Sequence, residues 1–204
     1  IISEANILKL KDNLSKDPSC FLVSPTAYDE NMNKMTYSGG PFPENLSRDI
    51  VLNLSGNTCV ESTLGACMLV RTNEFKYIGL FDENFFIYFS DDDLCRRIRK
   101  HKKSVIQIYD SKCIHIHGIV KIKNKYLKKF VRENNYTFDS LYYYYKIHPN
   151  HTEVKKILKK TSSLTIKFFI KILSLNFIEF VGISARLFAI SRFIYRFKLK
   201  KSKF

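Results

Sequence analysis

The sequence predicts an α/β layer in which helices cover a sheet. Three observations carry that prediction. Segments of helical and strand character alternate through the first part of the chain, the connections between them are short, and the chain has enough apolar substance for a core. With 204 residues, 45% of them hydrophobic, it can bury about 70% of the surface it exposes when unfolded. Seven glycines and five prolines exclude collagen-like and disordered classes.

Taken in order, residues 4–16 place Ile7, Leu8, Leu10 and Leu14 at helical intervals, and Asp17-Pro18 stops the run. Cys20–Val23 is a strand that should end at Ser24-Pro25. The stretches Asp29–Asn33 and Ser38–Pro41 are polar and turn-rich, and read as a loop or small hairpin. Gly65–Val70 is an apolar strand candidate, and Arg71–Ile78 a short helix closed by Gly79 in a left-handed cap. Ser90, followed three residues later by Asp93, predicts a capping box that opens a helix from Asp91 to Lys102. Ser104–Ile108 and Cys113–His117 are two further strands, the second ended by Gly118. Helices should dominate after Lys121, the first running from Lys125 to Lys146 ahead of His148-Pro149-Asn150. No internal repeat or long low-complexity linker interrupts this order.

Charge divides the chain into two regions, 1–150 and 151–204. Residues 155–204 hold 13 basic side chains against one acidic, Glu179, and so account for +12 of the formal +15. Between its charges the tail is greasy, and Lys167, Lys171, Glu179 and Arg186 keep any uncharged run below the roughly 18 residues of a spanning helix. Lys167 and Lys171, then Arg192, Arg196 and Lys200, recur at helical spacing as basic stripes. Such helices suit the headgroup plane of an anionic membrane, where each Lys or Arg gains up to about 1 kcal/mol; the alternative is that their apolar faces pack on protein. The tail supplies the phosphate term of nucleic-acid binding but no reading element, so nucleic acid is not expected as a partner.

Five scattered cysteines without a Cys-x-x-Cys pair point to a reducing compartment rather than a disulfide or zinc framework. The opening Ile1-Ile2-Ser3 has neither an initiator Met nor a signal peptide's regions. It predicts a cut through a longer protein.

The chemistry concentrates in two places. Asp91, Asp92 and Asp93 crowd one helix start after an aromatic stretch. They read either as capping, stabilised by first-turn amides, or as a site whose repulsion a metal ion, a substrate cation or a hydrogen-bonded sugar relieves. His115 and His117 stand two apart in a predicted strand and so share a face. If strand and helix end converge, carboxylate and imidazole make an oxygen and nitrogen set for Mg²⁺ or Mn²⁺.

The string Gly65–Arg71, then Gly79-Leu80-Phe81-Asp82-Glu83-Asn84-Phe85-Phe86-Ile87-Tyr88-Phe89-Ser90-Asp91-Asp92-Asp93-Leu94-Cys95-Arg96-Arg97, resembles the C-terminal half of bacterial family 2 glycosyltransferases. The likeness is to the rhamnosyltransferase-type branch that builds O-antigen and capsule. It runs on through Cys113–Gly118 and Tyr142–Lys146, from about Leu8 to His148.

The resemblance implies a partial GT-A fold, Rossmann-like, in 1–150, followed by the amphipathic tail. It also implies inverting transfer from a nucleotide-diphosphate sugar, such as dTDP-rhamnose or a UDP-sugar, to a polyprenyl-diphosphate-linked glycan. The location it implies is the cytoplasmic face of a bacterial inner membrane. Asp91 matches the family's general base, Asp93 its second acidic position, and Arg97 an arginine one turn on, within i,i+4 reach of Asp93. His115 best matches the metal-binding histidine, with His117 as the fallback.

On the acceptor side the resemblance places Gly65, Ala66, Cys67, Asp82, Phe86 and Tyr88; the aromatics among them could stack on sugar faces, though a run of this kind is more often core. Ser90 stands where the family usually has Glu. The nucleotide-binding half, with its Asp-x-Asp metal motif, is expected before Ile1, so the chain alone should bind donor poorly and turn over nothing.

Overall fold

A computed structural model of the chain describes residues 1–33, 56–116, 122–148, 155, 159 and 161–201. Six helices and a four-stranded mixed sheet are found among them, a mixed α/β architecture consistent with the Rossmann-like class. The chain divides into two compact units, Ile1–Asp82 with Phe89–Ile119, and Glu83–Tyr88 with Val120–Phe204. The helix expected to close the first region therefore belongs to the second unit.

In the first unit, α1 (Glu4–Lys16) begins where the Ser3 hydroxyl accepts the Asn6 N–H. It ends at Asp17-Pro18, because Pro18 disfavours the helical conformation at the residue before it. The sheet runs in the order β2 (Thr58–Cys59), β4 (Ser104–Ile114), β1 (Cys20–Tyr28), β3 (Leu69–Val70). Strands β1 and β4 are parallel, and the two short strands pair antiparallel at the edges.

Two strand expectations are corrected. Strand β1 does not stop at Ser24-Pro25. Proline has no N–H to give, and a register shift absorbs it: Pro25 pairs with Ile108 while Thr26 pairs with Lys112. The strands expected at 104–108 and from 113 are one, β4, carried through that irregularity and ending at Ile114, ahead of His115 and Ile116. The Thr26 hydroxyl covers the turned-out carbonyl of Tyr109 at 3.4 Å.

Each face of the sheet carries a helix. Leu10 and Leu14 of α1 pack with Cys20, Val23 and Ile108 on one face. On the other, Leu94, Cys95 and Ile98 of α3 (Ser90–Lys100) pack with Phe21, Leu22 and Val105. The short α2 (Thr72–Tyr77) closes as expected: Gly79, at φ +91°, donates to the Lys76 carbonyl and Leu80 to that of Phe75. Arg71 fastens the start of α2 to the core by donating to the carbonyls of Leu14, Cys20 and Asp17.

Helix α3 does not begin on the expected capping box. Phe89 takes the left-handed conformation at φ 62°, and the helix starts at Ser90 without a side-chain cap. Asp93 is turned instead toward Arg97.

The second unit is helical. Helix α4 (Lys125–Ile147), capped by the Asn124 carboxamide, lies along α6 (Phe177–Lys201). Phe130 meets Phe188, Phe138 meets Phe193 and Tyr142 meets Phe197, so contacts advance together and the two helices run parallel. Helix α5 (Thr161–Leu173) is the return between them, held to α6 by Phe168 on Phe180. Ile183, Ala185, Ala189, Ile190 and Phe193 bury one face of α6. No helix among the described residues is long and apolar enough to cross a membrane.

Candidate active site

The three aspartates at the head of α3 have three different environments. Asp92 is 2% exposed and accepts the Ser62 hydroxyl at 2.6 Å. Asp93 is 1% exposed and accepts Arg97 Nε at 2.8 Å, the i,i+4 pair the spacing predicts. Arg97 then donates to the carbonyls of Ile78 and Leu80, so the pair fastens the end of α2 to α3. Asp91 alone of the three is half-buried. Its Oδ2 accepts the Gly65 N–H at 2.8 Å, and its Oδ1 accepts the N–H of Asp92 at 3.1 Å. A Cβ on Gly65 would stand 3.1 Å from that Oδ2, so glycine is what lets the turn approach the carboxylate.

Beyond Gly65 the turn continues into Ala66 and Cys67, which line a cleft of about 350 Å³ with Cys113 and His115. His115 follows β4 directly, its N–H donating to the Tyr28 carbonyl at the end of β1 at 2.8 Å. Asp91 holds the start of the Gly65–Cys67 turn, and His115 lies by the cleft at its other end, at the edge of the sheet where parallel strands β1 and β4 end; Asp91 itself does not line that cleft. That edge is where open α/β sheets form their binding crevices. His117 lies outside the described residues.

Within the cleft the Cys67 and Cys113 thiols interact, which holds Cys67 down to about 7, against the opposing effect of burial, and pushes Cys113 up as the proton donor of the pair. The lining is therefore soft sulfur and aliphatic carbon around one imidazole. Mg²⁺ and Mn²⁺ take oxygen ligands, and this lining does not fit them. Among the described residues, no group of three or more His, Cys, Asp or Glu side chains could hold a metal ion.

The remaining sequence candidates fall in two places. Asp82 is half-buried at the end of the first unit's first segment. Phe86 and Tyr88 belong to the second unit, where the fully buried Asp139 accepts the backbone N–H groups of Phe86, Ile87 and Tyr88 at 2.9–3.0 Å. Tyr88 rests edge-on against Tyr136, and burial raises its phenol above the ordinary range. Phe86 projects at 73% exposure.

Of the tail residues, Lys167 is exposed and Lys171 half-buried on α5. Arg192 lies 5.0 Å over the Phe138 ring, and Arg196 bonds Asn84 at 2.6 Å. Lys200 lies in α6, its side chain outside the described residues.

Sequence reasoning passes over Ser62, Asp139 and Cys113 as partners. Ser62 and Asp139 bond groups 30 and about 50 positions away, and no local pattern announces such contacts. No protein-family model and no curated protein matches this chain.

Proposed function

We propose that this chain carries the acceptor side of an inverting glycosyltransferase with a GT-A fold. It would move a sugar from a nucleoside-diphosphate donor to a lipid-linked oligosaccharide or cell-surface polysaccharide. The observation that carries the reading is the separation of roles at the head of α3. Asp92 and Asp93 are buried and occupied, while Asp91 is only half-buried, its carboxylate held by two backbone N–H groups at the start of the turn that runs on into the cleft wall.

In this reading Asp91 accepts the proton of the acceptor hydroxyl as that oxygen attacks the anomeric carbon from the side opposite the leaving diphosphate. The Gly65 N–H holds the base in place, and Asp93 with Arg97 positions the helix end that carries it. Ala66 and Cys67 shape the wall on which the acceptor lies. A divalent metal in such enzymes offsets charge on the departing diphosphate. The lining of the His115 cleft does not fit Mg²⁺ or Mn²⁺, and no step is assigned to a metal.

Asp91→Asn tests the role in the full-length enzyme. Transfer from labelled UDP- or dTDP-sugars to a polyprenyl-diphosphate-linked acceptor should fall by about 10²–10⁴-fold, with donor binding by calorimetry unchanged. Retained transfer removes Asp91 from the mechanism. Failure of the wild-type enzyme to bind any nucleotide sugar ends the reading.

One observation favours a second role, attachment to a membrane surface. Helix α5 and the turn after it expose Ile166, Phe169, Ile170, Leu173, Leu175 and Phe177 beside Lys167. An apolar face edged by cations fits an anionic lipid surface. This surface would serve the enzyme by keeping it near lipid-linked acceptors, or would stand alone in a non-catalytic module.

A further inference from the structure

The thiols of Cys67 and Cys113 come from distant parts of the sequence and meet across the sheet edge. Cys113 lies in β4, opposite Ala27 of β1, and is bridged on its other side by Ile2. It is 5% exposed. Cys67 is partly exposed and stands two residues ahead of β3, before the ladder begins, so strand pairing does not fix its backbone.

Both side chains project from the α1 face of the sheet. Cys67 packs with Leu69 against the α1 cluster, and two residues before Cys113 the Ser111 hydroxyl donates to the Asn6 carbonyl of α1. They line one cleft, close enough for the two thiols to interact. One sulfur is thus anchored in the sheet, and the other sits on a turn outside the strand ladder. Closing a disulfide requires about that combination, since the S–S bond is only ~2.05 Å long and tolerates little backbone misfit.

We propose that Cys67 and Cys113 form an oxidisable dithiol, a modification site at which peroxide closes a disulfide between the Gly65–Cys67 turn and the end of β4. The Cys67 sulfur attacks one peroxide oxygen, the O–O bond breaks, and a sulfenic acid and one water result. The Cys113 sulfur then attacks the sulfenic sulfur. The S–S bond forms, the S–O bond breaks, and the hydroxyl leaves with the Cys113 proton as a second water. Two thiols lose two electrons and two protons, and one hydrogen peroxide is reduced to two waters. A dithiol reductant reverses the change.

The three other cysteines do not share this arrangement. Cys20 donates to the Leu22 carbonyl, Cys95 is buried on α3 against the sheet, and Cys59 is exposed on β2. The modification does not depend on the glycosyltransferase reading. Where that reading holds, the disulfide also pins the turn that holds Asp91.

The test treats the full chain with a small excess of hydrogen peroxide, then blocks remaining thiols and measures intact mass and linked peptides. A loss of two hydrogens per chain is expected, with a Cys67–Cys113 peptide pair as the product and a rate independent of protein concentration. Cys67→Ser and Cys113→Ser should each abolish the linked pair, and Cys59→Ser should leave it unchanged. Because the linkage is read in wild-type protein, poor folding of a variant does not disable the test. Oxygen gained at Cys67 while Cys113 still takes the blocking reagent overturns the proposal, as does cross-linking through Cys59 alone.

Discussion

At the scale of single residues, identical chemistry separates by burial. Asp91, Asp92 and Asp93 are one residue type at three consecutive positions. Ser62 engages the second and Arg97 the third, while the first, half-buried, accepts the Gly65 N–H. Gly65→Ala tests how tightly that arrangement is set. The added Cβ would meet Asp91 Oδ2 at 3.1 Å and its own Cβ at 3.3 Å, so the carboxylate must give by a few tenths of an ångström. The expected cost in stability is small, about 1 kcal/mol or less. Catalysis is the sensitive readout, since a 1 Å misplacement of a reacting group costs about 100-fold. Turnover falling by a smaller factor, at nearly unchanged melting temperature, supports Asp91 as the group being displaced. Unaltered turnover at unaltered stability argues against it.

At the scale of elements, the tail's basic stripes divide between two jobs. Arg192 and Arg196 of α6 lie over Phe138 of α4, and α6 buries its apolar face on that helix. Glu133 joins the two helices: Arg186 reaches it at 2.8 Å, Arg132 at 3.2 Å and Lys129 at 3.4 Å. Burial alone would raise its carboxyl, but the hydrogen bond and charge of Arg186, helped by Arg132 and Lys129, hold it below the usual range. A carboxyl lowered on folding contributes stability that is present above its unfolded value near 4.5 and is lost as pH falls through the folded value. Glu133→Gln is therefore expected to destabilise the helical unit by about 1–3 kcal/mol at neutral pH, between the worth of exposed and fully buried pairs. Denaturation curves of variant and wild type should converge as acid protonates Glu133. A difference that persists at low pH would assign the effect to packing rather than charge.

At the scale of the whole molecule, α5 presents an apolar surface beside its lysines, while α6 buries one face on α4. Leu173 is 84% exposed and Ile166 63%, on a helix that carries Lys167 and Lys171. Co-sedimentation with phosphatidylglycerol vesicles is expected, weakening but not vanishing in high salt, because insertion of apolar side chains survives screening. Phe169→Glu with Leu173→Glu should abolish it, and Lys167→Gln should weaken it by an amount near 1 kcal/mol. Arg192→Gln should leave it intact, since that side chain is engaged with Phe138 and Phe188. Loss of vesicle binding in the Arg192 variant alone would place the membrane face on α6.

Periodicity alone determined α1, α2 with its glycine cap, and α4, because their signals are local: spacing of apolar residues, a stop before proline, a left-handed glycine. The acidic head of α3 and the basic, greasy tail were legible for the same reason. Only tertiary structure decided that Pro25 stays inside β1, that two expected strands are one, and that Phe89 rather than Ser90 turns the chain into α3. It also decided which aspartate is accessible, which thiols meet, and which tail helix is covered. Each of these depends on a partner far away along the chain, and burial beside that partner overrides the local preference that a sequence displays.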